Sequence, residues 1–86
     1  MDSKEEFLKS QDFMRLGKSI SSGQWQSVMM VISRMQDQAR RAGILDFERG
    51  LSNIRQCALR KDVNGAKNAL AVLVNKRVSL INKDKE

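Results

Sequence analysis

The chain has 86 residues, 41% of them hydrophobic and 30% charged, and a formal net charge of +6. A chain of this length makes one domain with a thin core, so any chemistry would have to be done at a surface site. The absence of histidine excludes histidine metal sites and imidazole acid–base or phosphoryl chemistry. A single cysteine excludes an internal disulfide, and no apolar run reaches the ~20 residues that a membrane span needs.

No proline interrupts the chain, and Val, Ile and Thr form no alternating runs of the kind strands require. The pattern predicts four helices, over 4–20, 24–42, 45–60 and 63–81, with a frayed tail at 82–86. In the first, Ser3-Lys4-Glu5-Glu6 reads as a capping box. Phe7, Leu8, Met14 and Leu16 are its expected buried residues, and Phe13 falls off that stripe. Ser21-Ser22-Gly23 marks a turn.

The second helix is the most regular. Trp25, Val28, Ile32, Met35, Ala39 and Ala42 follow spacings of 3, 4, 3, 4 and 3, which places them on one seam. Gly43 can take the left-handed conformation that ends a helix, and Arg40 and Arg41 suit the dipole of the last turn. In the third helix Ile44, Phe47, Leu51, Ile54 and Ala58 repeat in the same way, and Gly50 permits a close helix approach. Cys57 reads as a half-buried packing residue. Asp62 is an N-cap candidate for the fourth helix, whose apolar side runs through Val63, Ala66, Leu70, Leu73, Val74, Val78 and Ile81. Short connections make such helices antiparallel neighbours, so the expected fold is all-α: one antiparallel up-down four-helix bundle spanning 1–86. The acidic, polar start is unlike a signal peptide, and the expected location is cytoplasmic.

The positive charge is localised. Acids and bases cancel within residues 1–30 and again within 78–86, so the whole excess lies in residues 31–77. Such a field favours an acidic partner or a polyanion, although a solvated basic face is the simpler reading.

Residues 23–43 carry a resemblance. Gly23 stands ten residues before Ser33 and Gly43 ten residues after it, on an amphipathic helix; further on, Asp62 is followed by Ala66, Leu70 and Leu73. This resembles a histidine phosphotransfer (HPt) domain, with the likeness covering residues 23–81. In that family a turn precedes a helix with a His-x-Leu-Lys-Gly motif, and a glycine ends the helix. The resemblance implies an HPt-like bundle and a receiver domain or kinase of two-component signalling as partner. It also implies that the phosphorylated histidine corresponds to Ser33, the following lysine to Gln36 and the glycine to Asp37. All three chemical positions have changed. A serine phosphoester is far less labile than a phosphoramidate, and Asp37 adds negative charge where a phosphoryl group would sit. The expectation is a pseudo-phosphotransfer module without relay activity.

Off the core seam of the second helix, Met29, Met30, Ser33, Gln36, Asp37 and Arg40 form the expected partner-binding face. The methionines supply adaptable apolar area there, or else pack against the first helix. Three function classes compete. The first is a non-catalytic protein-interaction module, the second a small helical homodimer or adaptor, with Met29, Met30 or the fourth helix at the contact. The third is nucleic-acid binding through the basic middle, which the lack of aromatics for stacking outside the core argues against. No carboxylate pair, phosphate-binding glycine loop, cofactor motif or metal-ligand spacing points to an enzyme.

Overall fold

Among the described residues, five helical segments make up the architecture: α1 (Ser3–Leu8), α2 (Asp12–Ser21), α3 (Trp25–Ala42), α4 (Leu45–Leu59) and α5 (Val63–Asp84). The computed structural model describes the backbone of residues 3–84 and the side chains of residues 4–82. No strand occurs among the described residues. Among the described residues no helix is long and apolar enough to cross a membrane. Four helices pack in a closed ring, α2 on α3, α3 on α4, α4 on α5 and α5 on α2, while α1 lies against α3. At 1.5 Å per residue α5 is about 33 Å long, close to the 38 Å long dimension of the molecule, whose other two are 20 and 19 Å.

The turns between the long helices share one device. Gly23, Gly43 and Lys61 all have positive φ, at 68°, 72° and 55°. In each turn the next amide donates back to a carbonyl five residues earlier: Gln24 to Ser19, Ile44 to Ala39, Asp62 to Cys57. This closure satisfies helix-end carbonyls that would otherwise lack partners. Gly43 takes the left-handed conformation at no steric cost, whereas Lys61 carries a Cβ there. Asp62 then caps α5, its Oδ1 accepting from the Gly65 amide at 2.9 Å.

The predicted first helix is two helices. The Ser10 hydroxyl accepts from the Asp12 amide at 3.1 Å and starts α2 afresh. A continuous helix would hold Phe7 and Met14 on one face, two turns apart. The break changes the phase, so Phe13 is buried and Met14 is 64% exposed, the reverse of the predicted assignment. Ser3, the expected capping residue, has its side chain outside the described set. At the other end the helix runs on through Asp84, where a frayed tail from 82 was predicted; 85–86 lie outside the described residues.

The core forms along the predicted seams. Val28, Ile32, Met35 and Ala39 of α3 are fully buried, with Phe47, Leu51, Ile54 and Ala58 of α4 and Ala66 and Leu73 of α5. Trp25, Ile44, Val63 and Ile81 are half-buried against them, while Val78 is exposed. Cys57, expected half-buried, is a buried free thiol. The three phenylalanines meet edge to face, with ring centroids 5.4 Å apart for Phe7–Phe13 and 5.3 Å for Phe7–Phe47. Arg77 of α5 lies 5.2 Å over the Phe13 ring, and its Nε donates to the Leu8 carbonyl at the end of α1.

Asp12 is the one buried charged residue among those described, at 3% exposure. Arg34 of α3 grips its carboxylate with two bonds of 3.0 and 2.9 Å, and Arg15 adds a third at 3.2 Å. The hydrogen bonds that Arg34 donates to Asp12, and then the charge of that carboxylate, raise the Arg34 guanidinium above its ordinary pKa, against a small opposing effect of desolvation. A bidentate charge-assisted pair of this kind sets orientation as well as energy.

Two pairs of variants check this reading. A Cβ on Gly50 would stand 2.3 Å from Leu73 Cδ2 and 2.8 Å from its Cγ, and Leu73 is fully buried. Gly50→Ala is therefore expected to cost about 1–3 kcal/mol in urea unfolding. A Cβ on Gly17 would meet only Leu70 Cδ2 at an ordinary 3.5 Å, so Gly17→Ala is expected to stabilise by about 0.5–1 kcal/mol. In the same assay Arg34→Ala is expected to destabilise more than Arg15→Ala, because it strips two of the three side-chain bonds from a buried carboxylate.

Candidate functional site

The six residues predicted to form one binding face divide into three groups. Met29 is half-buried and packs against the core, while Met30 is 69% exposed. Ser33, Gln36 and Arg40 lie along the α4 side of α3, each bonded across to it. Asp37 is exposed, with Arg40 3.8 Å away. The buried width of α3 explains the split. Met29 stands at the flank of the seam and Met30 nearly opposite it, so the core reaches the first and leaves the second on the open side.

The α3/α4 edge is a polar ladder. Arg55 Nη2 donates to Ser33 Oγ, Gln36 Nε2 to Ser52 Oγ, and Arg40 Nε to Glu48 Oε1, each at 3.1 Å. As the residue number rises along α3, that of the α4 partner falls. Glu48, Ser52 and Arg55 lie outside the face expected from α3. Their spacing of 4 and 3, off the α4 core stripe, is the signal that could have found them.

Ser33 is exposed at one end of this ladder, and its hydroxyl oxygen is held by a cation. The Arg55 Nε is enclosed without a hydrogen-bond partner among the described residues, and its Nη2 reaches the serine. The neighbouring pairs are exposed, and surface ion pairs contribute about 0–1 kcal/mol. The ladder therefore sets the shape of the surface more than its stability. Chemically, the edge offers hydroxyls, an amide and guanidinium groups. The group bonded to the Ser33 hydroxyl is a guanidinium, a hydrogen-bond donor and not a base. No cluster of three or more His, Cys, Asp or Glu that could hold a metal exists among the described residues.

The two methionines give a direct check. Met30→Ala is expected to change stability by less than about 0.5 kcal/mol. Met29→Ala is expected to cost about 1–2 kcal/mol, part of the cost for a fully buried methionine. Chemical denaturation of both variants separates the residue available to a partner from the one used by the core. Compared with protein-family models, with curated proteins and with solved structures, the chain matches none.

Proposed function

We propose that this protein is a non-catalytic interaction module with an antiparallel, HPt-like bundle, and that its α3/α4 edge engages a receiver domain or kinase without relaying phosphate. The observation that carries the reading is Ser33, exposed at mid-helix with Arg55 on its hydroxyl and Met30 exposed one turn earlier on the same helix. An exposed methionine beside a small polar centre suits a protein contact that must adapt to its partner. The antiparallel arrangement draws support from the ladder, whose pairs 33–55, 36–52 and 40–48 run in opposite senses on the two helices.

The same geometry argues against relay. Asp37 lies one turn beyond Ser33 and is exposed, so a phosphoryl group arriving at Ser33 would meet a carboxylate. A second reading, a helical homo-oligomer or adaptor, draws on α5, which leaves Val72 at 56% and Val78 at 46% exposure. Nucleic-acid binding has less support, because the three phenylalanines pack on one another and Trp25 is half-buried.

Titrating receiver domains into the labelled chain tests the proposal. Binding at roughly micromolar concentration is expected, weakened about tenfold or more by Met30→Glu. No phosphate transfer to the chain is expected from a phosphorylated receiver. If no receiver binds and light scattering reports a dimer that Val72→Glu dissociates, the second reading replaces the first.

A further inference from the structure

On the side of the ring opposite the α3/α4 ladder, α2 and α5 leave a groove between them. Its volume is about 750 Å³, and it is open along its length rather than enclosed. Gly17, Leu70, Ala71 and Val74 line it, and Met14, 64% exposed, stands at one end. Lys18 on α2 and Lys67 on α5 add a positive charge from each side, and no carboxylate lines it. Neither lysine makes an ion pair among the described residues.

Gly17 is what keeps the groove open. It sits inside α2, where no positive φ calls for glycine and where a methyl group would make only ordinary contact with Leu70. The fold would accept a side chain at this position, and a large one would fill the groove.

We infer that this groove docks an amphipathic helix of another protein, one whose apolar stripe is flanked by carboxylates. The charge pattern selects the occupant. An apolar floor between two unpaired lysines complements an apolar stripe between acids, and helix-in-groove recognition uses anchors at i, i+3 or i+4, and i+7. A second copy of this chain fits poorly. Groove against groove would set lysine against lysine in a protein of net charge +6. A small ligand fits poorly as well, because such ligands are mostly enclosed by their sites and this groove is open. The 10 residues of α2 bound the contact to about three helical turns. This surface is separate from the α3/α4 edge, and the inference does not depend on the receiver-binding proposal.

The test uses the full chain and two synthetic helical peptides of about 14 residues. Both carry leucine and alanine at the anchor positions; glutamates flank the stripe in one and lysines in the other. The acidic peptide is expected to bind with Kd of about 100 μM or tighter and to shift the amides of residues 14–22 and 67–75. Affinity is expected to fall at least about tenfold in the K18E/K67E double variant, and likewise in Gly17→Met, with circular dichroism confirming that both variants fold. The lysine peptide is expected not to bind. Any of four results overturns the inference: no binding of the acidic peptide up to about 1 mM; equal binding of both peptides; amide shifts confined to α3 and α4; or a concentration-dependent dimer that the groove variants dissociate.

Discussion

The buried carboxylate of Asp12 is the constraint around which the α1–α2 end of this molecule is arranged. A carboxylate at 3% exposure has lost its water and must find donors within the protein. Arg34 supplies two of them from α3, and Arg15 a third from the next turn of α2. This pair of helices is thereby locked in rotation as well as in position. With α2 held in that phase, Phe13 turns inward to meet Phe7 and Phe47, and Met14 turns out to solvent. Arg77 then closes the end of the assembly, lying over Phe13 and donating to the last turn of α1. One ion pair, three rings and one cation thus tie all five helices together.

The central element is α3, which packs against α1, α2 and α4. Its apolar seam is committed to the core, and Arg34 is committed to Asp12. What remains of its surface is the edge toward α4 and the strip bearing Met30. On that edge the polar residues are bonded in register to α4, so Ser33 is presented by a surface whose neighbours are already positioned. A surface ordered this way has little side-chain entropy left to lose in any contact, which is the physical advantage of prior order.

The last helix behaves differently. Apolar residues lie around much of α5, yet only Ala66 and Leu73 are fully buried among its hydrophobics. Leu73 is held tightly, because Gly50 lets α4 approach it to a distance no side chain at that position would allow. Toward α2 the contact is looser. Gly17 leaves a gap there, and the gap is the groove rimmed by Lys18 and Lys67. Two glycines inside helices thus have opposite consequences, one closing a seam and the other opening one.

Much of this architecture was legible in the sequence. The seams of α3 and α4 could be read because a 3–4 repeat of apolar residues can be buried only as a stripe. Gly43 and Asp62 could be read because their chemistry acts locally, within one turn of chain. The break at Ser10 could not, since it depends on a carboxylate two residues on being worth burying, and its donor comes from 22 residues away. Lys61 gives no glycine signal for its left-handed turn, so that closure appears only in the backbone. The residues off the core seam of α3 were legible as a list. Which of them face solvent, and that three are bonded to α4, depends on how the neighbouring helices are rotated. Periodicity determines which residues a helix must bury, but only packing decides the phase of each helix against the next, and with it the surfaces left open.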